Sequence, residues 1–135
     1  MQQTHFDDKY PVFELEIKKT ETTATCASDL IARLKVEVDA HPSVAFISVF
    51  DHYAHTKSLP MGDVAEEIIA AQNIIFCFGI KLPKNPRVMA IRPRSIGVTE
   101  FADHFVVNFM EPPLPIVTMA LEGWVKALRD RPATA

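Results

Sequence analysis

Val44-Ala45-Phe46-Ile47-Ser48-Val49-Phe50 is the stretch that decides the fold of this chain. Read as an extended segment, it carries Val44, Phe46 and Phe50 on one face and Ala45, Ile47 and Val49 on the other, with Ser48 its only polar interruption. A strand with one wet face would alternate apolar and polar, so this run predicts a central strand covered on both sides. Asn73–Phe78 has the same character and predicts a second buried strand.

Outward from this pair the pattern changes. Val12–Lys18 alternates cleanly, with Phe13, Leu15 and Ile17 opposing Glu14, Glu16 and Lys18, which is the signature of a half-exposed strand. Leu30, Ile31, Leu34 and Val38 recur at helical spacing between a Thr-rich entry, where Thr25 or Ser28 suits a cap, and the stop at His41-Pro42. Gly62–Gln72 predicts a second helix, with Val64, Ile68 and Ala71 inward. Arg87–Ile91 and His104–Met110 predict two further strands joined through a link containing Gly97. A last helix follows Pro112-Pro113-Leu114-Pro115 and carries Val117, Leu121, Trp124 and Leu128 on one stripe.

Helices interleaved first and strands bunched later give an α+β domain. The expected architecture is a two-layer α/β sandwich: a mixed, mostly antiparallel sheet of five strands with about three helices. The 135 residues suit one domain, 1–135, and no repeat or flexible linker divides them. The polar or small ends, Met1–Asp8 and Arg131–Ala135, are expected to be loose. A second covered face for the central strands would come from a helix or from a partner subunit, so a homodimer is an expected partner state.

The composition excludes more than it assigns. A formal charge of −3 gives no basic face for nucleic acid. No apolar run approaches a membrane span and the N-terminus lacks the apolar core of a signal peptide, so no membrane partner is expected and the cytoplasm is the expected compartment. Cys26 and Cys77 are then expected to be reduced. No dinucleotide fingerprint, Walker loop, nucleophile elbow or paired-carboxylate signature is present, and no cofactor is expected.

Phe50-Asp51-His52-Tyr53-Ala54-His55-Thr56 gathers two imidazoles, an acid, a phenol and a hydroxyl where an apolar strand runs out. Arg92-Pro93-Arg94-Ser95 places two guanidiniums on one side of a stiff extended segment, a pattern suited to gripping a carboxylate or phosphate. The ligand-binding set expected from these two segments is Arg92, Arg94, His52, Tyr53, His55 and Ser95, with the His52–Thr56 stretch as a loop closing over the arginines. The competing explanation is that the arginines form ion pairs that support the fold. His104 and Asn108 share a strand face and would either add donors to that pocket or form the wet face of the sheet.

His52, His55 and Cys77 are the candidates for catalysis and for a transition-metal site, although no nucleophile is clearly positioned and no metal motif is present. Apolar neighbours in Phe76-Cys77-Phe78 favour an inert thiol. Taken in succession, FDHYAHT (50–56), NIIFCFG (73–79) and RPRSIG (92–97) resemble a family of small bacterial cytoplasmic proteins without an assigned activity. That resemblance implies a shared fold and a bacterial source, and it transfers no function. Three readings stay open: a binder of a compact anion, a homodimeric interaction or scaffold protein without catalysis, and a metal protein through His52, His55 and Cys77.

Overall fold

The computed structural model describes residues 1–132. One sheet of six strands runs in the order β1-β2-β6-β5-β4-β3, and every neighbouring pair is antiparallel. The strands are β1 (Gln2–Phe6), β2 (Tyr10–Lys18), β3 (Val44–Asp51), β4 (Ala70–Phe78), β5 (Arg94–Glu100) and β6 (His104–Met110). The helices are α1 (Ala27–Ala40), α2 (His52–Ser58), the single turn α3 (Val88–Ile91) and α4 (Pro115–Lys126), with a short 3-10 turn at Lys19–Glu21.

The core lies between one face of this sheet and the helices α1 and α4. Leu15, Ile17, Ile74, Phe76, Ile96, Val98, Phe105 and Val107 meet Leu30, Leu34, Val38, Leu121 and Val125, all buried. Trp124 turns its edge toward Phe76, with ring centroids 5.8 Å apart. Each such aliphatic or aromatic side chain stabilises by roughly 1.5–3 kcal/mol when fully buried. The apolar stripes read from Leu30 to Val38 and from Val117 to Leu128 are therefore what fixes the two helices to the sheet.

The start of α1 is held from a distance. Cys26 occupies the cap position without a side-chain bond, and the Ala27 N–H donates instead to Glu100 Oε1 at 2.9 Å. Lys19 Nζ donates to the other oxygen of the same buried carboxylate at 2.7 Å. Thr25 and Ser28, the expected caps, are used otherwise: Thr25 donates to Asp29, and Ser28 accepts from Gln72.

Several expectations are corrected. Among the described residues the sheet has six strands and not five, it is wholly antiparallel and not mixed, and there are four helices and not three. Val44–Phe50 is not central: β3 is the sheet's edge, and apart from half-buried Val44 its residues are exposed. Gly62–Gln72 is not a helix. Ile69 donates its N–H to the Glu100 carbonyl at 2.9 Å and β4 begins at Ala70, so strand pairing takes the residues that a helix would need. Arg87–Ile91 is not a strand, because it contains the turn α3, and the strand lies later, with Gly97 inside β5.

The sequence suggested loose ends, whereas Gln2–Phe6 pairs with β2 through a turn at Asp7 and Asp8, both with positive φ (52° and 56°), which Asp tolerates. Arg131 donates its backbone N–H to the Glu21 carbonyl at 3.0 Å, and residues 133–135 of that expected loose end lie outside the described residues.

Candidate functional site

The two segments that drew attention in the sequence sit at opposite ends of β4. In the β3–β4 ladder Val44 faces Phe78 and Asp51 faces Gln72. At about 3.3 Å per residue, Gln72 and Phe78 are about 20 Å apart along β4. The arginine segment belongs to the Phe78 end, where the chain leaves at Gly79, crosses α3 and returns so that Arg94 pairs with Phe76. The histidine segment belongs to the other end.

At the Phe78 end both arginines hold backbone carbonyls. Arg92 Nη1 donates to the Lys81 carbonyl at 2.8 Å, and Gly79 lies so close that a Cβ there would come within 2.5 Å of Arg92 Nη2. Arg94 Nη2 donates to the Met110 carbonyl at 2.6 Å and Nη1 to the Ile91 carbonyl at 3.3 Å. Arg92 and Arg94 both line a cavity of about 290 Å³ with apolar residues such as Phe78, Val88, Pro112, Leu114 and Val117.

Arg92 also borders a neighbouring cavity of about 360 Å³ with His41, Ser43 and Lys81. Arg94 and Ser95 reach a wider groove of about 600 Å³ on the side of Glu111.

The expected alternative, ion pairs that support the fold, does not occur: among the described residues no carboxylate lies within 4.0 Å of either guanidinium. Glu111, the acid lining the wider groove, accepts from Gln3 Nε2 at 3.2 Å. Burial lowers the Arg94 pKa from its ordinary value, with no opposite charge to offset it. A half-desolvated cation in an apolar wall favours an incoming anion more than the same cation in water would.

At the other end, His52-Tyr53-Ala54-His55-Thr56 is not a loop but the body of α2, started by Asp51, whose side chain accepts the Ala54 N–H at 2.8 Å. Helical spacing therefore does apply, and His52 and His55 flank the Phe50 ring with centroids at 4.7 and 5.4 Å. Lys57 Nζ lies 5.6 Å from the Tyr53 ring centroid. No residue of α2 is buried.

The α2 histidines do not close over the arginines. Phe50 faces Asn73 on the face opposite Phe76 and Arg94, at the far end of β4.

Cys77 stands four residues along β4 from Asn73, about 13 Å at the same rise, so it does not join the two imidazoles as nucleophile or ligand. Among the described residues no group of three His, Cys, Asp or Glu side chains gathers as a metal site. Both cysteines are free thiols.

Asn108 and His104 lie on the face of the sheet turned away from α1 and α4. Asn108 donates to Glu14 at 3.4 Å, Asn73 donates to Ser95 at 3.2 Å, and Gly97 leaves room between the two amides. His104 stacks on Phe101 at 4.7 Å, and its Nδ1 lies 2.6 Å from Asp103 Oδ1. The wet-face reading of these two residues holds.

The residue that sequence reasoning missed is His41. It was read as a helix stop, yet its ring packs on Phe78 at 4.8 Å and its Nδ1 accepts the Ser43 N–H, beside Arg92. A lone His-Pro after a helix carries no signal that a cavity will form there.

No curated protein and no solved structure matches this chain. A family model does, over residues 1–130. The chain belongs to DUF6858, a family of unknown function.

Proposed function

We propose that the protein binds a compact anion in the cleft where Arg92 and Arg94 meet, between the 79–93 segment and the start of α4. The observation that carries this reading is Arg94: a half-buried arginine that lines a mostly apolar cavity and lacks a carboxylate partner. Each arginine has spent some of its five N–H donors on carbonyls and keeps others for a ligand. Those carbonyl bonds orient the forks before a ligand arrives, which lowers the entropy lost on binding. His41 and Lys81 border the adjoining cavity, whereas His52, Tyr53 and His55 have no part in the reading.

The test is a thermal-shift screen against phosphate, sulfate and small carboxylates, followed by calorimetry on the best of them. A ligand at ~100 times its Kd stabilises by about 2.7 kcal/mol, and the gain disappears in Arg94→Gln and Arg92→Gln. Because both side chains also brace the chain, folding of each variant is checked by circular dichroism. In the wild type, an NMR shift of the arginine Nε–Hε resonances on adding the anion reads the same contact without mutation. No shift and no stabilisation with any anion removes this reading.

A second reading, a homodimer without catalysis, is favoured by the β3 edge. This eight-residue edge strand exposes Phe46, Ile47, Val49 and Phe50 and carries no Lys, Glu or Pro to discourage pairing. The same edge on a second copy would pair about a two-fold axis and close the assembly. Light scattering across a range of concentrations tests it, with Val49→Lys expected to yield monomers. A monomer at every concentration in the wild type rejects it.

A further inference from the structure

Between Ile68 and Thr99 the chain has no Asp or Glu, while Lys81, Lys84, Arg87, Arg92 and Arg94 put five positive charges into a protein whose formal charge is −3. Among the described residues none of these five forms an ion pair. Around them stand large apolar side chains with little cover. Ile80 is 84 % exposed, Leu82 75 % and Met89 65 %, and from the first turns of α4 Ile116 and Met119 are 71 % and 73 % exposed.

Several of these residues share one rim. Ile80, Leu114 and Ile116 border the same cavity, and Leu82 lies between Lys81 and Pro83, which border the two adjoining cavities. Exposed apolar side chains scattered singly need no explanation, but a rim of them interleaved with cations marks an interaction surface.

We infer that this rim is a docking surface for an anionic lipid bilayer. The alternation Ile80-Lys81-Leu82-Pro83-Lys84 sets apolar tips beside long cationic stems. Such stems keep their charge at headgroup level while the tips enter the acyl boundary. Cations from a stretch of chain without Asp or Glu complement the negative potential of a bilayer rich in anionic lipid.

The surface leaves no long apolar run in the sequence, and among the described residues no helix is long and apolar enough to cross a membrane, so the contact is peripheral. It does not rest on a ligand in the Arg94 cleft.

The experiment is co-sedimentation of the full chain with vesicles of phosphatidylcholine alone and of phosphatidylcholine with phosphatidylserine. The expected result is binding to the second only, weakened by salt, and lowered about tenfold or more both in Lys81→Glu/Lys84→Glu and in Ile80→Asp/Leu82→Asp. All four positions are exposed, so thermal midpoints near the wild-type value are expected, and Val36→Asp, an exposed apolar position on α1, is expected to bind as the wild type does. Vesicle binding is read in buffer free of phosphate, sulfate and carboxylates, and anion binding is read without vesicles, so the two proposals fail separately. Failure to bind anionic vesicles, equal binding to both compositions, or binding unchanged in both double variants overturns the inference.

Discussion

The two ends of β4 differ in the opposite sense to their appearance in the sequence. The Gln72 end has the richer chemistry on paper, with two histidines, a tyrosine and an acid within a few residues, but they lie on a short surface helix with no buried residue. Asp51 caps that helix, and the imidazoles rest on Phe50. The Phe78 end offers two arginines and little else, yet there the chain folds back to make cavities and takes a guanidinium partly out of water. A density of reactive residue types does not make a site. Concavity and desolvation do, because they strengthen electrostatic contacts and shift titration.

The strongest way to sharpen this contrast is to damage the fold without touching the cleft. Glu100, at the same end of the sheet as α2, holds the Ala27 N–H and Lys19 Nζ from a buried position. Glu100→Ala leaves a backbone donor and an ammonium without their acceptor. It is expected to cost about 3 kcal/mol in a urea unfolding experiment while ligand affinity per folded molecule stays the same. Next in size, Arg94→Gln is expected to lower anion affinity about 10- to 100-fold by calorimetry, the worth of charge-assisted hydrogen bonds of roughly 1.5–3 kcal/mol.

Gly79→Ala pushes a methyl group into Arg92 Nη2, the mobile end of a long side chain. Gly79 also has a φ of 159°, where a Cβ is strained, so an affinity loss of about tenfold with a stability loss of about 1–3 kcal/mol is expected from the same two measurements. His52→Ala/His55→Ala removes two ring contacts with Phe50, so a loss of about 0.5–1.5 kcal/mol and unchanged affinity are expected. An affinity loss in that variant would break the comparison.

The smallest effect is on acid stability. Hydrogen bonds from Thr25 to Asp29, from His104 to Asp103 and from Thr23 to Asp130 hold these three carboxyls below their ordinary pKa of 3.8. A depressed folded-state pKa gives stability that is fully present above the unfolded value of 3.8 and is lost as pH falls through the folded value. The midpoint should therefore stay flat from neutral pH to about 5 and fall below about 4, and Asp130→Asn should reduce that fall.

Periodicity made α1, α4, β2 and β6 legible, because each buries one face in the core and a stripe of apolar residues records which. It misled at β3. A strand that is apolar on both faces is the mark either of a sheet's centre or of an edge without charged protection, and sequence alone does not separate them. Gly62–Gln72 has a helical pattern, but pairing of Ala70–Gln72 with Val98–Glu100 outweighs it, a long-range effect that local propensity cannot register. Val88–Ile91 is too short for a period of two to be told from one of 3.6.

The arginines were legible as residue types, and their neighbours were not. That Lys81 and Met110 supply the carbonyls, or that His41 stands beside Arg92, follows from which strands adjoin and not from any spacing.

The measurement that tests the central claim most directly is an NMR titration of the wild-type protein with the anion that stabilises it most, following the Arg92 and Arg94 Nε–Hε and the His52 and His55 ring resonances together. The account predicts saturating shifts at both arginines and still histidines. Shifts confined to the histidines, or a titration that leaves both arginines unmoved, would contradict it.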